Sequence, residues 1–223
     1  MNARDEIIIR IRPDGNIAVE ECKDDIRSFK VITPDSLLAC INKGLFRGGV
    51  TSGMLPKGCV SYATHDNGDR EITLLHPEDK ADISYMGTEY KDFPIPRLIF
   101  GFNISSEGRI LNCRLGVAGN DSSLKPKTPM FVYPFSNVSG TQLCIGNNRL
   151  PKIQSLHTLG SLPYHILSMD NNNDYFRALN NKMGLEMRNL MELLKDKQQD
   201  YYYKNILLPS DMTLGDFISL NGC

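Results

Sequence analysis

The pattern of apolar and polar positions predicts three short β-strands at the start of the chain. Residues 6–12 form a run rich in β-branched side chains, and the turn-forming sequence Pro13-Asp14-Gly15 ends it. Residues 17–22 return as the hairpin partner of this run, and residues 29–32 form a third short strand. The N-terminal region is therefore predicted to be rich in β-structure.

A helix is predicted directly after these strands. Thr33 is a residue type that caps helix N-termini, and Pro34 suits the first helical position. Apolar residues then recur at helical spacing up to Gly44, which is predicted to end the helix.

Two antiparallel hairpins in series are predicted in the middle of the chain. The first joins residues 59–63 to residues 71–75 through Asn67-Gly68, a dipeptide typical of tight hairpin turns. The second joins residues 98–103 to residues 109–117 through the polar segment between them. Successive hairpins of this kind form an antiparallel meander.

The last part of the chain has a helical pattern instead. From Tyr175 to Leu194 apolar residues recur at steps of three and four, which predicts an amphipathic helix of about five turns. Thr213 and Asp216 have the spacing of a capping box, which predicts a short final helix. The predicted fold class is therefore α+β, with an antiparallel β-meander followed by C-terminal helices.

Composition and charge exclude several classes of protein. The 223 residues are 41% hydrophobic and 23% charged, which is ordinary for a globular chain that buries a core. The formal net charge is −1, without the basic surplus of a nucleic-acid-binding protein. No apolar run reaches the roughly 18 to 20 residues of a membrane span, and charges occupy the N-terminal positions where a signal peptide has its apolar segment. We therefore expect a cytoplasmic protein that binds neither nucleic acid nor membrane.

Sequence motifs of common cofactor sites are missing. The six cysteines include no C-x-x-C pair and no Cys/His cluster with zinc spacing. The chain also lacks the phosphate-binding G-x-x-x-x-G-K-[ST] loop, a G-x-G-x-x-G motif after a strand, and the H-E-x-x-H and G-x-S-x-G motifs. We therefore expect no cofactor and no metal ion, and we expect the cysteines to be reduced.

One segment carries candidate chemistry, because an asparagine, a glycine turn and a cysteine follow one another in it. Cys144 comes seven residues after Asn137. A cysteine on extended, glycine-flanked backbone can present its sulfur to the acyl group of a partner. A nearby carboxamide can donate a hydrogen bond to the oxyanion of a thioester, or it can fix the loop. Alternatively, residues 143–145 are a strand and Cys144 is a small side chain in the core.

The histidines offer another use of the same cysteine. His157 and His165 follow Cys144 in the sequence and can approach it in space, which is the arrangement of a thiol peptidase. This alternative requires a hydrogen bond between one imidazole and the Cys144 sulfur.

The chain resembles ubiquitin-conjugating (carrier) enzymes in this segment. Those enzymes place a His-Pro-Asn motif after a β-meander and before the cysteine that forms a thioester, and Phe135-Ser136-Asn137 stands at that place here. The more specific resemblance is to the bacterial group called prokaryotic ubiquitin-conjugating-like family D, which includes the PRTRC system protein B-like proteins. The similar segments are Leu55–Pro56, Phe93–Phe100, Thr128–Val138 and Leu143–Gly146.

The sequence departs from the carrier enzymes at one motif position. Phe135 stands where they have histidine, so any structural hydrogen bond of that histidine must be supplied otherwise; the bacterial family is known for lacking it. An acidic residue after the cysteine often helps to deprotonate the acceptor lysine in such carriers, and Asp170 and Asp174 are the candidates here. Helix capping and a solvated loop are the alternative interpretation of these two residues.

The resemblance implies a domain organisation. It implies a ubiquitin-conjugating-enzyme-like (UBC-like) domain at residues 55–223, preceded by a β-rich extension with one helix at residues 1–54. Alternatively, residues 1–223 form a single continuous domain.

The resemblance also implies a function in a bacterial ubiquitin-like conjugation pathway of a mobile-element or defence operon. The implied protein accepts a ubiquitin-like protein as a thioester on Cys144 from a ThiF-like adenylating enzyme and passes it to an acceptor, with Asn137 at the oxyanion. Its implied partners are that adenylating enzyme, the ubiquitin-like protein and a JAB-type peptidase of the same operon, and it requires no cofactor. The alternative is a catalytically silent UBC-like scaffold that binds the ubiquitin-like protein or the adenylating enzyme.

Overall fold

Antiparallel β-strands make up most of the regular structure, and a few short helices occur between them along the chain. The computed structural model describes residues 6–23, 26–45 and 51–220. The fold class is α+β, as the hydrophobic pattern predicts. The chain divides into two units, Met1–Ser52 and Gly53–Cys223.

Within the described residues, the N-terminal unit is a three-stranded antiparallel sheet followed by a helix. Its elements are β1 (Glu6–Ile11), β2 (Ile17–Lys23), β3 (Ile26–Ile32) and α1 (Pro34–Leu45). A hydrogen bond of 3.0 Å from Gly15 N to Arg12 O closes the turn between β1 and β2, and the φ of Gly15 is +83°. Thr33 caps α1 as predicted, because its Oγ1 accepts a hydrogen bond from Ser36 N.

The second unit is built around an antiparallel sheet whose central strands come from the two predicted hairpins. Its strands are β4 (Cys59–Thr64), β5 (Arg70–His76), β6 (Asp79–Tyr85), β7 (Thr88–Ile95), β8 (Leu98–Ile104), β9 (Ile110–Ala118), β10 (Pro129–Phe131), β11 (Val138–Ser139), β12 (Gln142–Leu143), β13 (Asp170–Asn171) and β14 (Pro209–Thr213). The larger sheet has the order β11-β12-β9-β8-β5-β4, and β10 lies beside both β9 and β14. A smaller sheet has the order β13-β6-β7. The predicted turn between β4 and β5 is confirmed by a hydrogen bond of 2.9 Å from Gly68 N to His65 O.

Short helices occupy the C-terminal part of this unit. They are α2 (Leu162–Leu167), α3 (Met187–Leu194) and α4 (Leu214–Ser219), together with 3₁₀ segments at Leu156–Ser161 and Ala178–Asn180 and a π-helical turn at Tyr202–Ile206. The predicted capping box begins α4: Thr213 Oγ1 accepts a hydrogen bond from Asp216 N, and the Asp216 carboxylate accepts one from Thr213 N. Among the helices that the structure describes, none has both the length and the apolar character needed to cross a membrane.

The predicted helix over residues 175–194 is wrong for its first half. Only Met187–Leu194 is α-helical, and a single 3₁₀ turn precedes it. Gly184 interrupts the pattern with a φ of +62°, and the Asn181 side chain accepts a hydrogen bond from Leu185 N at 3.0 Å. Because a short helix gains little from propensity alone, such local hydrogen bonds decide the backbone conformation.

The hairpin of β6 and β7 was not predicted from the sequence. The prolines of residues 93–96 predict only an extended segment. In the structure β6 and β7 pair across a tight turn in which Met86 and Gly87 have φ values of +49° and +72°. Positive φ at two successive turn residues is typical of the tight turns that join hairpin strands.

The main core of this unit lies between the larger sheet and the C-terminal helices. Phe100 and Leu115 of the sheet belong to one buried cluster with Leu162 of α2 and Leu190 of α3. Tyr202 is fully buried in the same cluster, and its hydroxyl group donates a hydrogen bond of 2.7 Å to the main chain of β7. The core therefore fixes the strands and the helices that surround the candidate site.

Candidate active site

A short hairpin positions Cys144. Strands β11 and β12 pair across a turn at residues 139–142, in which Gly140 has a φ of +62°. Thr141 O accepts a hydrogen bond of 2.8 Å from Leu115 N, which connects the hairpin to the edge of β9. Cys144 follows β12 directly and is half-buried. It is therefore not the core residue of a strand that the alternative interpretation requires.

Asn137 stands at the other end of the same hairpin. Its carbonyl oxygen accepts a hydrogen bond of 2.8 Å from Cys144 N, so the seven-residue spacing closes the hairpin. Asn137 N donates a hydrogen bond of 2.7 Å to Asp174 O. The φ of Asn137 is +64°, a region that asparagine adopts more readily than other non-glycine residues. The backbone of this residue thus connects the cysteine to the loop at residues 170–174, which carries both candidate aspartates.

The side chain of Asn137 makes a second connection to the same loop. Its Nδ2 donates a hydrogen bond of 2.9 Å to Asn171 Oδ1. Asn171 Nδ2 in turn donates to Ser84 O and Met169 O at 3.0 and 3.1 Å. The carboxamide therefore fixes the loop. Nδ2 carries two hydrogens, and among the described residues one of them is used in this bond.

A cavity of about 320 Å³ gathers the residues that the sequence singles out. Cys144, Asn137, Asp170 and Asp174 all line it. Asp170 reaches it because β13 pairs in parallel with β6, with Asp170 opposite Ser84. Asp174 is held beside it by the hydrogen bond from Asn137 N to Asp174 O. The structure thus brings all four predicted site residues to one place.

The two aspartates are held differently. Asp170 Oδ1 accepts hydrogen bonds from Ser84 Oγ at 2.6 Å and from Gly87 N at 3.2 Å, which connects it to the β6–β7 hairpin. The Asp174 carboxylate accepts a hydrogen bond of 2.8 Å from Asn172 Nδ2, within its own turn. The helix-capping part of the alternative interpretation is wrong for both residues, because α3 begins only at Met187. Both aspartates are nevertheless exposed, as the solvated-loop part of that interpretation predicts.

Phe135 is held by aromatic packing. It is buried, and its ring lies edge-on to Phe93, Tyr133 and Tyr202, with centroid distances of 6.0, 5.5 and 6.2 Å. Such edge-to-face pairs stabilise a core beyond the burial of area alone. The segment that leads into Asn137 is therefore fixed by packing at the position of Phe135.

Two residues of the site were not singled out from the sequence. Asn171 is the side-chain partner of Asn137, and the amide-rich run at residues 171–174 was the only local signal for it. Ser136 also lines the cavity, and its buried Oγ has no hydrogen-bond partner among the described residues. No sequence pattern indicates that burial.

The described cysteines differ in their surroundings. Cys22, Cys40, Cys59, Cys113 and Cys144 are free, and Cys223 lies outside the described residues. Burial raises the pKa of the Cys113 thiol to about 12 and also raises the pKa of Cys59. Since the thiolate is the nucleophile, burial makes Cys113 a poor one. Cys144 is half-buried and lines the cavity.

The geometry of a thiol peptidase or of a metal site is not found in the described part of the chain. His157 Nδ1 is hydrogen-bonded to Ser155 Oγ at 2.9 Å, and His165 lines a different cavity beside Tyr164. Neither histidine lines the Cys144 cavity or hydrogen-bonds to its sulfur. Among the described residues, no group of three or more His, Cys, Asp or Glu side chains is placed to hold a metal ion.

Comparisons with known proteins leave the family open. The chain matches no protein-family model, no curated protein sequence and no solved structure. The geometry of the site and the resemblance of its motif are therefore the grounds for a functional proposal.

Proposed function

We propose that this chain is a UBC-like carrier that accepts a ubiquitin-like protein as a thioester on Cys144 and passes it to an acceptor. The observation that carries the proposal is the convergence of Cys144, Asn137, Asp170 and Asp174 on one cavity. An antiparallel sheet followed by a cysteine-bearing hairpin and short helices supports the UBC-like fold.

The first step is a thioester exchange. Cys144 Sγ, as thiolate, attacks the carbonyl carbon of the thioester that a ThiF-like adenylating enzyme carries. The new C–S bond forms while the donor's C–S bond breaks, and the donor thiolate takes up the proton that Cys144 released. The free amide hydrogen of Asn137 Nδ2 stabilises the negative charge that develops on the carbonyl oxygen. Donor and product are both thioesters, so the exchange needs no cofactor.

The second step transfers the acyl group to an amine. The amine nitrogen attacks the thioester carbonyl, an amide bond forms, and the Cys144 thiolate leaves. A carboxylate of the cavity accepts the proton of the amine. Asp174 suits this role better than Asp170, because its only side-chain hydrogen bond among the described residues is to its neighbour Asn172, whereas two bonds connect Asp170 to the β6–β7 hairpin.

Phe135 is compatible with this proposal although carrier enzymes have histidine there. The ring packs against three other aromatic rings, so it holds the loop by burial. The backbone bonds of Asn137 to Cys144 and Asp174 supply the polar connections of the loop.

One observation favours a second candidate function, a catalytically silent UBC-like scaffold. No basic side chain of the described residues lines the cavity beside Cys144, so no cation there is placed to stabilise its thiolate. In this alternative the protein binds a ubiquitin-like protein or an adenylating enzyme without accepting the acyl group.

A trapping experiment distinguishes the two candidates. The full chain is mixed with ATP, a ThiF-like enzyme and a ubiquitin-like protein of the same operon, and the products are separated without reductant. The carrier proposal predicts an adduct that dithiothreitol removes, that is absent in Cys144→Ala and that persists in the matched variant Cys113→Ala. If the partners are active and bind the chain but form no adduct, the scaffold is the correct function.

A further inference from the structure

Two kinds of side chain line the cavity beside Cys144. The apolar ones include Ile83, Leu143, Ile145, Ile166 and Met169. The polar ones include the asparagines Asn137, Asn147 and Asn171. Asp170 and Asp174 are the charged residues that line it, and no basic side chain of the described residues does so.

The volume of the cavity limits what it can hold. At about 320 Å³ it lies at the small end of ligand pockets, which typically measure about 300 to 1,000 Å³. Its size therefore suits a few residues of extended peptide and is too small for a folded domain. Half-buried Ile145 and Met169 leave apolar surface that a ligand can cover.

The position of Cys144 decides which part of a ligand enters. An acyl group bonded to Sγ begins at the cavity, so the residues that precede the acyl carbonyl lie along its walls. The asparagine side chains can donate hydrogen bonds to peptide groups and accept them from peptide groups. An apolar side chain gains free energy by covering the apolar residues of the lining, whereas a polar side chain loses hydration wherever it covers them.

We propose that the cavity is a specificity site for the tail of the acyl donor, and that it binds an apolar side chain at the residue next to the acylated one. This inference rests on the proposed carrier function, because it assumes that an acyl group is bonded to Cys144. It adds the chemistry of the substrate: a peptide tail with a leucine-sized side chain at that position.

Synthetic thioesters test this inference without any partner protein. The probes are N-acetyl-Leu-Gly and N-acetyl-Asn-Gly thioesters of 2-sulfanylethanesulfonate, which differ in polarity but little in the shape of one side chain. Each is incubated with the full chain, and the rate at which the acyl group appears on Cys144 is measured by mass spectrometry, with Cys144→Ala as the blank. We expect the leucine probe to react about tenfold faster or more, the size expected from burying a leucine side chain.

A pair of variants locates the preference in the cavity. Met169→Ala removes apolar surface from the wall and is expected to lower the Leu/Asn rate ratio at least threefold. Leu179→Ala, which changes an exposed residue outside the cavity, is expected to leave the ratio unchanged. Thermal unfolding of both variants shows whether each is folded.

The outcomes separate the two proposals. Equal rates for both probes, with Cys144 acylated in each case, overturn the specificity site and leave the carrier function standing. Failure of both thioesters to acylate Cys144, in a folded chain that still forms the adduct with the ThiF-like enzyme and the ubiquitin-like protein, overturns the specificity site alone. Failure in both assays overturns both proposals. A leucine preference that persists unchanged in folded Met169→Ala also overturns the cavity as its source.

Discussion

At the scale of single residues, substitutions can separate the structural contact of Asn137 from its proposed role. Its carboxamide connects the hairpin to Asn171, and in the proposed mechanism its second amide hydrogen stabilises an oxyanion. Asn137→Gly removes the carboxamide at a position where glycine tolerates the positive φ. Asn171→Ala removes the connection, together with the bonds of Asn171 to Ser84 O and Met169 O, and leaves the Asn137 carboxamide in place. We expect Asn137→Gly to slow thioester formation on Cys144 about 100-fold, and Asn171→Ala to slow it less than tenfold.

The comparison of these two variants decides the role of the asparagine. Initial rates of adduct formation are measured for both at a temperature where thermal unfolding shows them to be folded. Equal losses of rate in the two variants would contradict the oxyanion role and leave only the fixing of the loop.

Protonation of His76 is expected to make the free energy of unfolding depend on pH. The residue is buried, its ring lies edge-on to Tyr164 at 4.5 Å, and its Nε2 has no hydrogen-bond partner among the described residues. Burial lowers the pKa of His76 from 6.5, and the charge of Asp79 opposes this shift. The His76 imidazole therefore binds a proton near pH 6.5 in the unfolded chain but only at a lower pH in the folded chain. The free energy of unfolding is expected to fall as pH drops below 6.5, by at most about 1.4 kcal/mol per pH unit.

Urea denaturation at several pH values between 5 and 8 measures this dependence. His76→Phe removes the titrating group while keeping an aromatic ring, and is expected to flatten the slope below pH 6.5. His157→Phe, a change at an exposed imidazole, is the matched control and should retain the wild-type slope. A wild-type slope in His76→Phe would show that another group causes the dependence.

At this scale the sequence gives part of the candidate site. The spacing of Asn137 and Cys144 reflects a hydrogen bond across one hairpin, so a local pattern can reveal it. The partner of the Asn137 carboxamide, Asn171, lies far along the chain, and only the fold brings the two together. The burial of Ser136 also depends on the fold rather than on its neighbours in sequence.

At the scale of elements, close approach of the backbone makes one turn glycine hard to replace. Gly108 has a φ of +85°, and a Cβ there would overlap Ile153 O. Gly184 has a φ of +62° in open space. Gly184→Ala is expected to lower the free energy of unfolding by about 1 kcal/mol, the cost of a left-handed conformation for a residue with a Cβ. Gly108→Ala should lower it by at least twice as much, because the backbone must also move.

Chemical denaturation of the two glycine variants tests this difference. Equal losses of stability would show that the turn at Gly108 relaxes freely away from Ile153. In the structure Ile153 N also donates a hydrogen bond of 2.8 Å to Gly108 O, which holds the two segments together.

Elements with local signals were predicted correctly, and those without them were not. The Asn67-Gly68 turn and the capping box of Thr213 and Asp216 each act within a few residues, so the sequence alone indicates them. Apolar residues recur at helical spacing throughout residues 175–194, but the first half of this range is not α-helical. There the positive φ of Gly184 and the hydrogen bond from Leu185 N to the Asn181 side chain determine a different backbone conformation. Spacing of apolar residues does not distinguish a helix from a loop that buries some of the same side chains.

At the scale of the whole molecule, the sequence predicts the α+β class but not the convergence that forms the site. Short β-rich runs joined by turn signals such as Asn67-Gly68 indicate antiparallel pairing of sequence neighbours. The parallel pairing of β13 with β6, which brings Asp170 beside the hairpin of Cys144, has no local signature. Long-range pairing of this kind depends on the packing of the complete core.

The position of the acyl group on the chain is the most direct measure of the central proposal. In Cys144→Ser, with the ThiF-like enzyme, the ubiquitin-like protein and ATP, the proposal predicts an ester-linked adduct that resists dithiothreitol and is cleaved by mild alkali. Mass spectrometry of its peptides should place the ubiquitin-like C-terminus on residue 144. An adduct that remains sensitive to dithiothreitol in this variant, or that maps to another cysteine, would contradict the proposal.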